Sequence, residues 1–152
     1  MAVLPLSTAA NLAKSAAEPY GLPPQVLTAQ AEKESGLNPA AVSAVDATGQ
    51  RAYGLCQFQL PTFRAIFPGG NPLNPLHSLQ AAAKYLAGLV REFGALDVAL
   101  AAYNWGPAKV RRLVRQVGSS YEGMKDRLPF SVRFYVWRIE TLAATHAKAF
   151  LG

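Results

Sequence analysis

Apolar residues recur at helical spacing along most of the chain. The longest stripe falls within residues 75–93, where apolar side chains return every third or fourth position: Leu79, Ala82, Ala83, Leu86, Leu89, Val90 and Phe93. This spacing is typical of an amphipathic helix with one buried face. Asn74 is a good N-cap, Pro75 a favoured first residue and Gly94 a stop signal. We therefore predict a helix over residues 75–93.

Weaker stripes predict five further helices, each with a start or stop signal. For the first, Ser7 or Thr8 is the expected N-cap, and the helix should end near Glu18, before Gly21. The others are expected to begin near these residues: Pro24, Asp97, Pro107 and Ser131. The chain shows no alternating strand pattern and no internal repeat. We therefore expect an all-α fold and a single domain over residues 1–152.

The second predicted helix carries a glutamate on its apolar face. At about 100° per residue, Leu27, Ala31 and Glu34 fall on one stripe. Burial and the negative end of the helix dipole would both raise the pKa of that glutamate. A carboxyl that keeps its proton near neutral pH suits a general acid. The plainer interpretation is a partly exposed helix-end glutamate bonded to a nearby loop.

The net charge of +6 is concentrated in one part of the chain. Between Trp105 and Arg138, eight basic residues stand against Glu122 and Asp126. Such a surface favours an anionic polymer, which could be a nucleic acid, an acidic membrane or an acidic glycan. It could equally be a solvated helix face.

Several other classes of protein are disfavoured. A single cysteine, Cys56, excludes an internal disulfide and a cysteine metal cluster, and His77 and His146 lack ligand spacing, so we expect no metal site. No stretch approaches the ~18 apolar residues of a membrane span. The N-terminal segment lacks a basic region, and Pro5 interrupts its apolar run, so we expect no signal peptide.

Three short segments carry the functional signal: ESGLNPAAVS (34–43), AYGLCQFQLPT (52–62) and AAYNWGPAKV (101–110). In this order they resemble the soluble lytic transglycosylase family, lysozyme-like enzymes that cut the glycan of peptidoglycan. LPFSVRFYV (128–136) looks like the segment that closes that domain. The resemblance implies a helical, lysozyme-like fold with a substrate cleft. Residues 1–20 would form an N-terminal helix, 21–136 the motif-bearing core and 131–152 the C-terminal helix.

The resemblance also implies roles for individual residues. Glu34 would be the single catalytic acid/base, Ser43 would hydrogen-bond near it, and the Tyr103 hydroxyl would lie close to it. Other substrate-binding residues would be Gly54, Leu55, Gln57, Phe58, Asn104 and Trp105. Aromatic rings among them offer flat apolar faces for sugar rings.

Four features depart from the family pattern. The acidic residue that the family often carries near the closing segment is missing, and Ser131 or Val132 occupies its place. Cys56 stands where methionine is usual, which is a mild change between soft apolar groups. Segment 44–53 is longer than the usual connection. Trp105 replaces a small residue, and it would either stack on a sugar or pack in the core.

The family's reaction needs one carboxyl group and no metal or cofactor. Glu34 would protonate the MurNAc-GlcNAc β-1,4 oxygen and then deprotonate the muramic C6 hydroxyl, which closes a 1,6-anhydro ring. Asp46 is the complication, because a second carboxylate in the cleft would make the enzyme a hydrolytic muramidase. Its alternative role is that of a turn residue in DATGQ.

Two non-enzymatic interpretations stay open, a wall-binding module without turnover and a nucleic-acid binder. We favour peptidoglycan glycan strands as the partner, with no specific nucleic acid, and we expect a monomer. Without a signal peptide, action on the wall in the periplasm would require delivery by a phage virion, a holin or a secretion apparatus. Of these we favour a phage virion.

Overall fold

The computed structural model describes residues 3–150, with the side chain of Ala149 excepted, and this part is mainly helical. Its α-helices are α1 Leu6–Ala17, α2 Pro24–Ser35, α3 Leu60–Ile66, α4 Pro75–Phe93, α5 Leu96–Trp105, α6 Pro107–Val117, α7 Tyr121–Met124 and α8 Phe130–His146. Short 3-10 turns lie at Glu18–Tyr20, Lys125–Arg127 and Ala147–Phe150. The all-α fold class is confirmed. Residues 1–2 of the predicted N-terminal helix and 151–152 of the predicted C-terminal helix lie outside the described residues.

Helix α2 lies at the centre of the packing. It contacts α8 most extensively and also packs on α1, while α4 packs on α1 and α5. Fully buried apolar side chains come from five different helices: Leu27, Phe63, Leu86, Leu100 and Ile139. These side chains belong to one buried core, which holds α2 in place, and the C-terminal end of α2 carries Glu34.

The helix ends agree with most of the start and stop signals. The Asn74 side chain accepts a hydrogen bond from the His77 N–H at 3.1 Å, which confirms the predicted cap of α4. Gly94 adopts φ 81°, a left-handed conformation that glycine tolerates. The predicted cap of α1 is wrong. The helix begins at Leu6, and the Pro5 carbonyl accepts from the Ala9 N–H at 3.0 Å, so Ser7 and Thr8 lie inside the first turn.

The expectation that the chain has no strand is also corrected. Ala52–Tyr53 (β1) pairs antiparallel with Phe58–Gln59 (β2), and Val42 forms an isolated bridge with Tyr53. Strands of two residues are too short to show an alternating pattern. The short helices α3 and α7 were likewise not predicted. The β1–β2 hairpin matters for function because it faces the end of α2.

Candidate functional site

A cavity of about 350 Å³ opens between the end of α2, the hairpin, α3, α4 and the end of α5. Ten residues line it: Glu34, Ala52, Cys56, Gln57, Phe58, Gln59, Thr62, Tyr85, Tyr103 and Asn104. We call it the Glu34 cavity. Five of the residues predicted from the sequence therefore come together here: Glu34, Gln57, Phe58, Tyr103 and Asn104.

Glu34 lies in the last turn of α2, and Gly36 follows the helix in the left-handed conformation. The preceding residues of the same stripe, Leu27 and Ala31, are fully buried, so the predicted inward orientation of the stripe is correct. Glu34 itself is partly buried. Burial raises the pKa of Glu34 to about 6, against a smaller lowering effect of the Lys33 ammonium. The carboxyl can therefore hold a proton at mildly acidic pH.

The end of α2 is tied directly to the hairpin. The Ser35 hydroxyl donates to the Leu55 carbonyl at 2.7 Å. Leu55, which was predicted to line the site, is instead fully buried beneath it. Its role in the geometry is indirect, because its carbonyl fixes the distance between α2 and residues 54–57.

Tyr103 closes the opposite side of the cavity. Its ring packs between Phe58 and Tyr85, with ring centroids 6.5 Å and 5.1 Å away. Its hydroxyl is buried and has no hydrogen-bond partner among the described residues. Burial, with smaller effects of neighbouring groups that include Glu34, raises the pKa of Tyr103 well above its usual value. The hydroxyl therefore stays protonated and is available as a donor.

Gln57 lies just before β2 and lines the cavity, and its backbone conformation is unusual. Its φ is 54°, which is uncommon for a residue with a side chain. Its Nε2 donates to the carbonyls of Ala41 at 3.1 Å and Gly54 at 3.0 Å. Gly54, at φ 83°, packs so closely on the Pro72 carbonyl that any Cβ would clash. Gly54 thus acts through backbone packing and does not line the cavity.

Ser43 and Trp105, both predicted to bind substrate, do not line the Glu34 cavity. The Ser43 hydroxyl donates to the Ala44 carbonyl at 2.9 Å and accepts from the Ala52 N–H at 2.8 Å. It therefore supports the base of the 44–53 loop. Trp105 is half-buried and lines a separate cavity on α6, with Lys109 Nζ 5.6 Å from the ring centroid.

Asp46 occupies a tight turn on the surface. Its Oδ1 accepts from the Thr48 N–H, the Thr48 hydroxyl and the Gln50 N–H at 2.8, 2.6 and 3.0 Å. Its Oδ2 accepts from Gln59 Nε2 at 2.9 Å. These hydrogen bonds, the Thr48 hydroxyl foremost, lower the pKa of Asp46. Asp46 does not line the Glu34 cavity, and its contacts are those of a turn residue.

Several residues of the site were not predicted from the sequence. Tyr85 could have been found, because it flanks the apolar stripe of α4. Gln59 and Thr62 lie in the segment 52–62 that carries part of the resemblance, but no role was predicted for either side chain. Cys56 lines the cavity with a buried side chain, and burial raises the pKa of its thiol to about 12, so the thiol is not a nucleophile at neutral pH.

A buried polar pair lies beneath the cavity. Gln30, one turn before Glu34 on α2, donates from Nε2 to the Tyr135 hydroxyl of α8 at 3.1 Å. The Gln30 Oε1 atom is buried and has no partner within residues 3–150. This pair links α2 to residues 128–136, the segment that looks like the one closing the family's domain.

The basic segment is separate from the cavity, since none of the ten lining residues is Lys or Arg. Part of its charge is paired: Arg111 binds Glu92, and Lys125 lies 3.1 Å from Glu122. Among residues 3–150 no cluster of His, Cys, Asp and Glu is placed to hold a metal ion. Nor does any helix in this range have the length and apolarity needed to cross a membrane.

Comparisons with known proteins agree with this architecture. Residues 11–123 match the family described as the transglycosylase SLT domain. The structure is similar to the 70 kDa soluble lytic transglycosylase from Escherichia coli, with 27% identity and a TM-score of 0.76, over 93% of this chain and 24% of that chain. The complex of the 70-kDa soluble lytic transglycosylase with bulgecin A gives 25% identity, a TM-score of 0.76 and the same coverage.

A third similar structure is an inactive mutant of the lytic transglycosylase Slt from Pseudomonas aeruginosa. It is 24% identical, with a TM-score of 0.74 over 92% of this chain and 24% of that chain. The chain thus spans about a quarter of the length of these proteins. Because the family match covers most of its residues, the chain belongs to the transglycosylase SLT domain family.

Proposed function

We propose that this chain is a peptidoglycan lytic transglycosylase domain that cleaves the MurNAc-GlcNAc β-1,4 bond and forms a 1,6-anhydro product. One observation carries the proposal. Glu34 is the only carboxyl among the ten residues of the cavity, and its pKa is raised to about 6. A single carboxyl with a retained proton is what a reaction with an internal nucleophile requires.

In the proposed reaction, protonated Glu34 donates its proton to the glycosidic oxygen as the bond to C1 breaks. The resulting carboxylate then accepts the proton of the muramic C6 hydroxyl, whose oxygen forms the new bond to C1. The nucleophile is part of the same sugar, so its effective concentration is high and no activated water is needed. Glu34 ends the cycle protonated, as it began.

The neighbouring residues have supporting roles in this proposal. The Tyr103 hydroxyl, which has no hydrogen-bond partner among residues 3–150, is a donor for the reacting sugar, and Asn104 and Gln57 offer amide groups at the cavity wall. The buried Phe58 ring supplies apolar contact. Ser43, Gly54 and Leu55 act by holding the hairpin and the 44–53 loop. Trp105 follows Asn104 directly but lines the separate cavity on α6.

Hydrolysis through Asp46 is the second candidate reaction. The occupied oxygens of Asp46 and its absence from the cavity wall disfavour it. Mass spectrometry of the muropeptides separates the two reactions, because anhydro products are lighter than hydrolytic products by one water.

Digestion of purified sacculi tests the proposal, with Glu34→Gln and Glu18→Gln in parallel. Glu18 is exposed in the 3-10 turn after α1, so Glu18→Gln makes the same chemical change away from the cavity. We expect Glu34→Gln to lose about a hundred- to ten-thousandfold in turnover while it still binds sacculi. A wild-type chain that binds sacculi without releasing muropeptides would instead be a wall-binding module.

The proposed site of action is the cell wall, on the periplasmic side. The chain would act there as a catalytic domain and bind glycan strands. Delivery by a phage virion, a holin or a secretion apparatus, and the monomeric state, remain predictions from the sequence.

A further inference from the structure

A cavity of about 380 Å³ lies beside the Glu34 cavity. Its lining includes Thr48, Arg51, Tyr53, Leu60, Pro61 and Arg64, from the 44–53 loop, the hairpin and α3. We call it the loop cavity. It is built largely from the segment in which this sequence is longer than the family pattern.

The two cavities share a wall. Ala52 and Gln59, which pair across the hairpin, line the Glu34 cavity. Their chain neighbours Tyr53 and Leu60 line the loop cavity. Consecutive Cα atoms are ~3.8 Å apart. A ligand in the Glu34 cavity is therefore separated from the loop cavity by roughly the thickness of the hairpin.

The loop cavity carries two arginines, Arg51 and Arg64, that form no ion pair with residues 3–150. Arg51 is held in place by one hydrogen bond, from Nη1 to the Ser43 carbonyl at 2.9 Å. A guanidinium has five N–H donors, so Arg51 keeps most of its donors free for a ligand.

The acidic residue of the loop does not compete for these arginines. Asp46 is engaged by four donors from Thr48, Gln50 and Gln59, and none of them is an arginine. The fork of donors on a guanidinium matches the two oxygens of a carboxylate. The loop cavity therefore has the chemistry of a carboxylate site, with Tyr53 and Thr48 as additional polar neighbours.

We infer that the loop cavity binds a free carboxylate of the stem peptide on the same peptidoglycan strand whose glycan occupies the Glu34 cavity. The inference rests on the proposed function, and it specifies the substrate as a peptide-bearing glycan. Each muramic unit carries its peptide on the lactyl group. Three extended residues span about 10 Å, enough to cross the hairpin from the Glu34 cavity.

The experiment compares initial cleavage rates on two soluble substrates, glycan strands that carry stem peptides and strands stripped of them by an amidase. The measured quantity is the ratio of the two rates for the wild type, Arg51→Gln and Arg64→Gln. Arg115→Gln is the matched control, because Arg115 is an exposed arginine of α6 that lines neither cavity.

We expect the wild type to prefer peptide-bearing strands, and each loop-cavity variant to lower that preference about five- to tenfold. Arg115→Gln should leave the ratio unchanged. Arg51→Lys and Arg64→Lys should recover only part of the preference, since lysine keeps the charge but lacks the paired donors. If the lysine variants recovered the full preference for peptide-bearing strands, general charge attraction would explain that preference. This result would overturn the inference.

A binding measurement separates failure of this inference from failure of the proposed function. Arginine side-chain N–H signals are followed by NMR as a muramyl tripeptide with free carboxylates, or its fully amidated form, is added. The inference expects the signals of Arg51 and Arg64 to shift with the free acid only. Equal ratios in all variants with no such shift overturn it, even if the wild type cleaves both substrates. A chain that cleaves neither substrate removes the proposed function and this inference with it.

Discussion

Replacing Glu34 by Gln should make the protein more stable at neutral pH, by an amount that depends on pH. The pKa of Glu34 is raised from its ordinary value of 4.5 to about 6 because folding buries the carboxyl. The folded state therefore holds the proton more tightly than the unfolded chain. Stability from this group is fully present below pH ~4.5 and is lost as the pH rises through about 6.

The magnitude follows from the two pKa values. A difference of 1.5 between 4.5 and about 6 corresponds to ~2 kcal/mol lost by the wild type between pH 4 and pH 7. Glutamine has no charge to bury, so Glu34→Gln avoids that loss. For a domain of this size, ~2 kcal/mol amounts to about 4–8 °C in Tm. This is a sizeable share of the 5–15 kcal/mol that holds a typical domain together.

The assay is thermal or urea unfolding of the wild type, Glu34→Gln and Glu18→Gln at pH 4, 5, 6 and 7. The quantity to compare is the stability difference at pH 7 minus that at pH 4, which cancels any constant effect of the amide. We expect the stability of Glu34→Gln relative to the wild type to increase from pH 4 to pH 7. The stability of Glu18→Gln relative to the wild type should stay constant. A constant difference at every pH would mean that Glu34 is solvated, and the reasoning about its proton would be wrong.

Two further predictions concern catalysis. Lys33→Gln removes the ammonium that lowers the pKa of Glu34, so the alkaline limb of the pH–rate profile should move to higher pH. The control is Lys14→Gln on α1, which should leave that limb where it is. Tyr103→Phe removes a buried hydroxyl that has no partner among residues 3–150, so stability should stay level or rise by up to ~1 kcal/mol while the cleavage rate falls at least about tenfold. Tyr121→Phe, outside the cavity, is the control. Normal turnover by Tyr103→Phe would mean that the Tyr103 hydroxyl takes no part in the reaction and that the residue only packs.

The position of Glu34 could be predicted because α2 is a regular helix up to Ser35. Leu27 and Ala31 set the buried stripe, and the carboxyl follows at the next turn. Asn74 could be predicted as a cap for a similar reason, since a local side-chain bond decides it. For these two residues the contacts within one helix were sufficient, whereas the same local reasoning misplaced the start of α1, which begins at Leu6.

Ser43, Leu55 and Trp105 could not be placed from the sequence because their surroundings depend on the path of the chain between helices. The longer 44–53 segment folds into a tight turn around Asp46, and Ser43 is used to hold its base. Leu55 faces the core on a hairpin whose strands are too short to reveal a period. The motif identifies the region correctly, while long-range packing decides which of its side chains reach the cavity.

Several unfavourable local features lie around the Glu34 cavity, although Leu37, with a positive φ, and His146, with two buried ring nitrogens that have no hydrogen-bond partner among residues 3–150, lie outside it. Glu34 has a raised pKa, Tyr103 has a buried hydroxyl without a partner in the described part of the chain, and Gln57 adopts a positive φ. Gln30 Oε1, one turn below Glu34, is unpartnered as well within the described residues. Each of these features costs stability, and a well-packed helical core has no structural need for them. The features at the cavity are of the kind expected where a fold gives up stability to keep a proton and several donors ready for a ligand. On this argument, the variants that remove them should gain stability and lose turnover together.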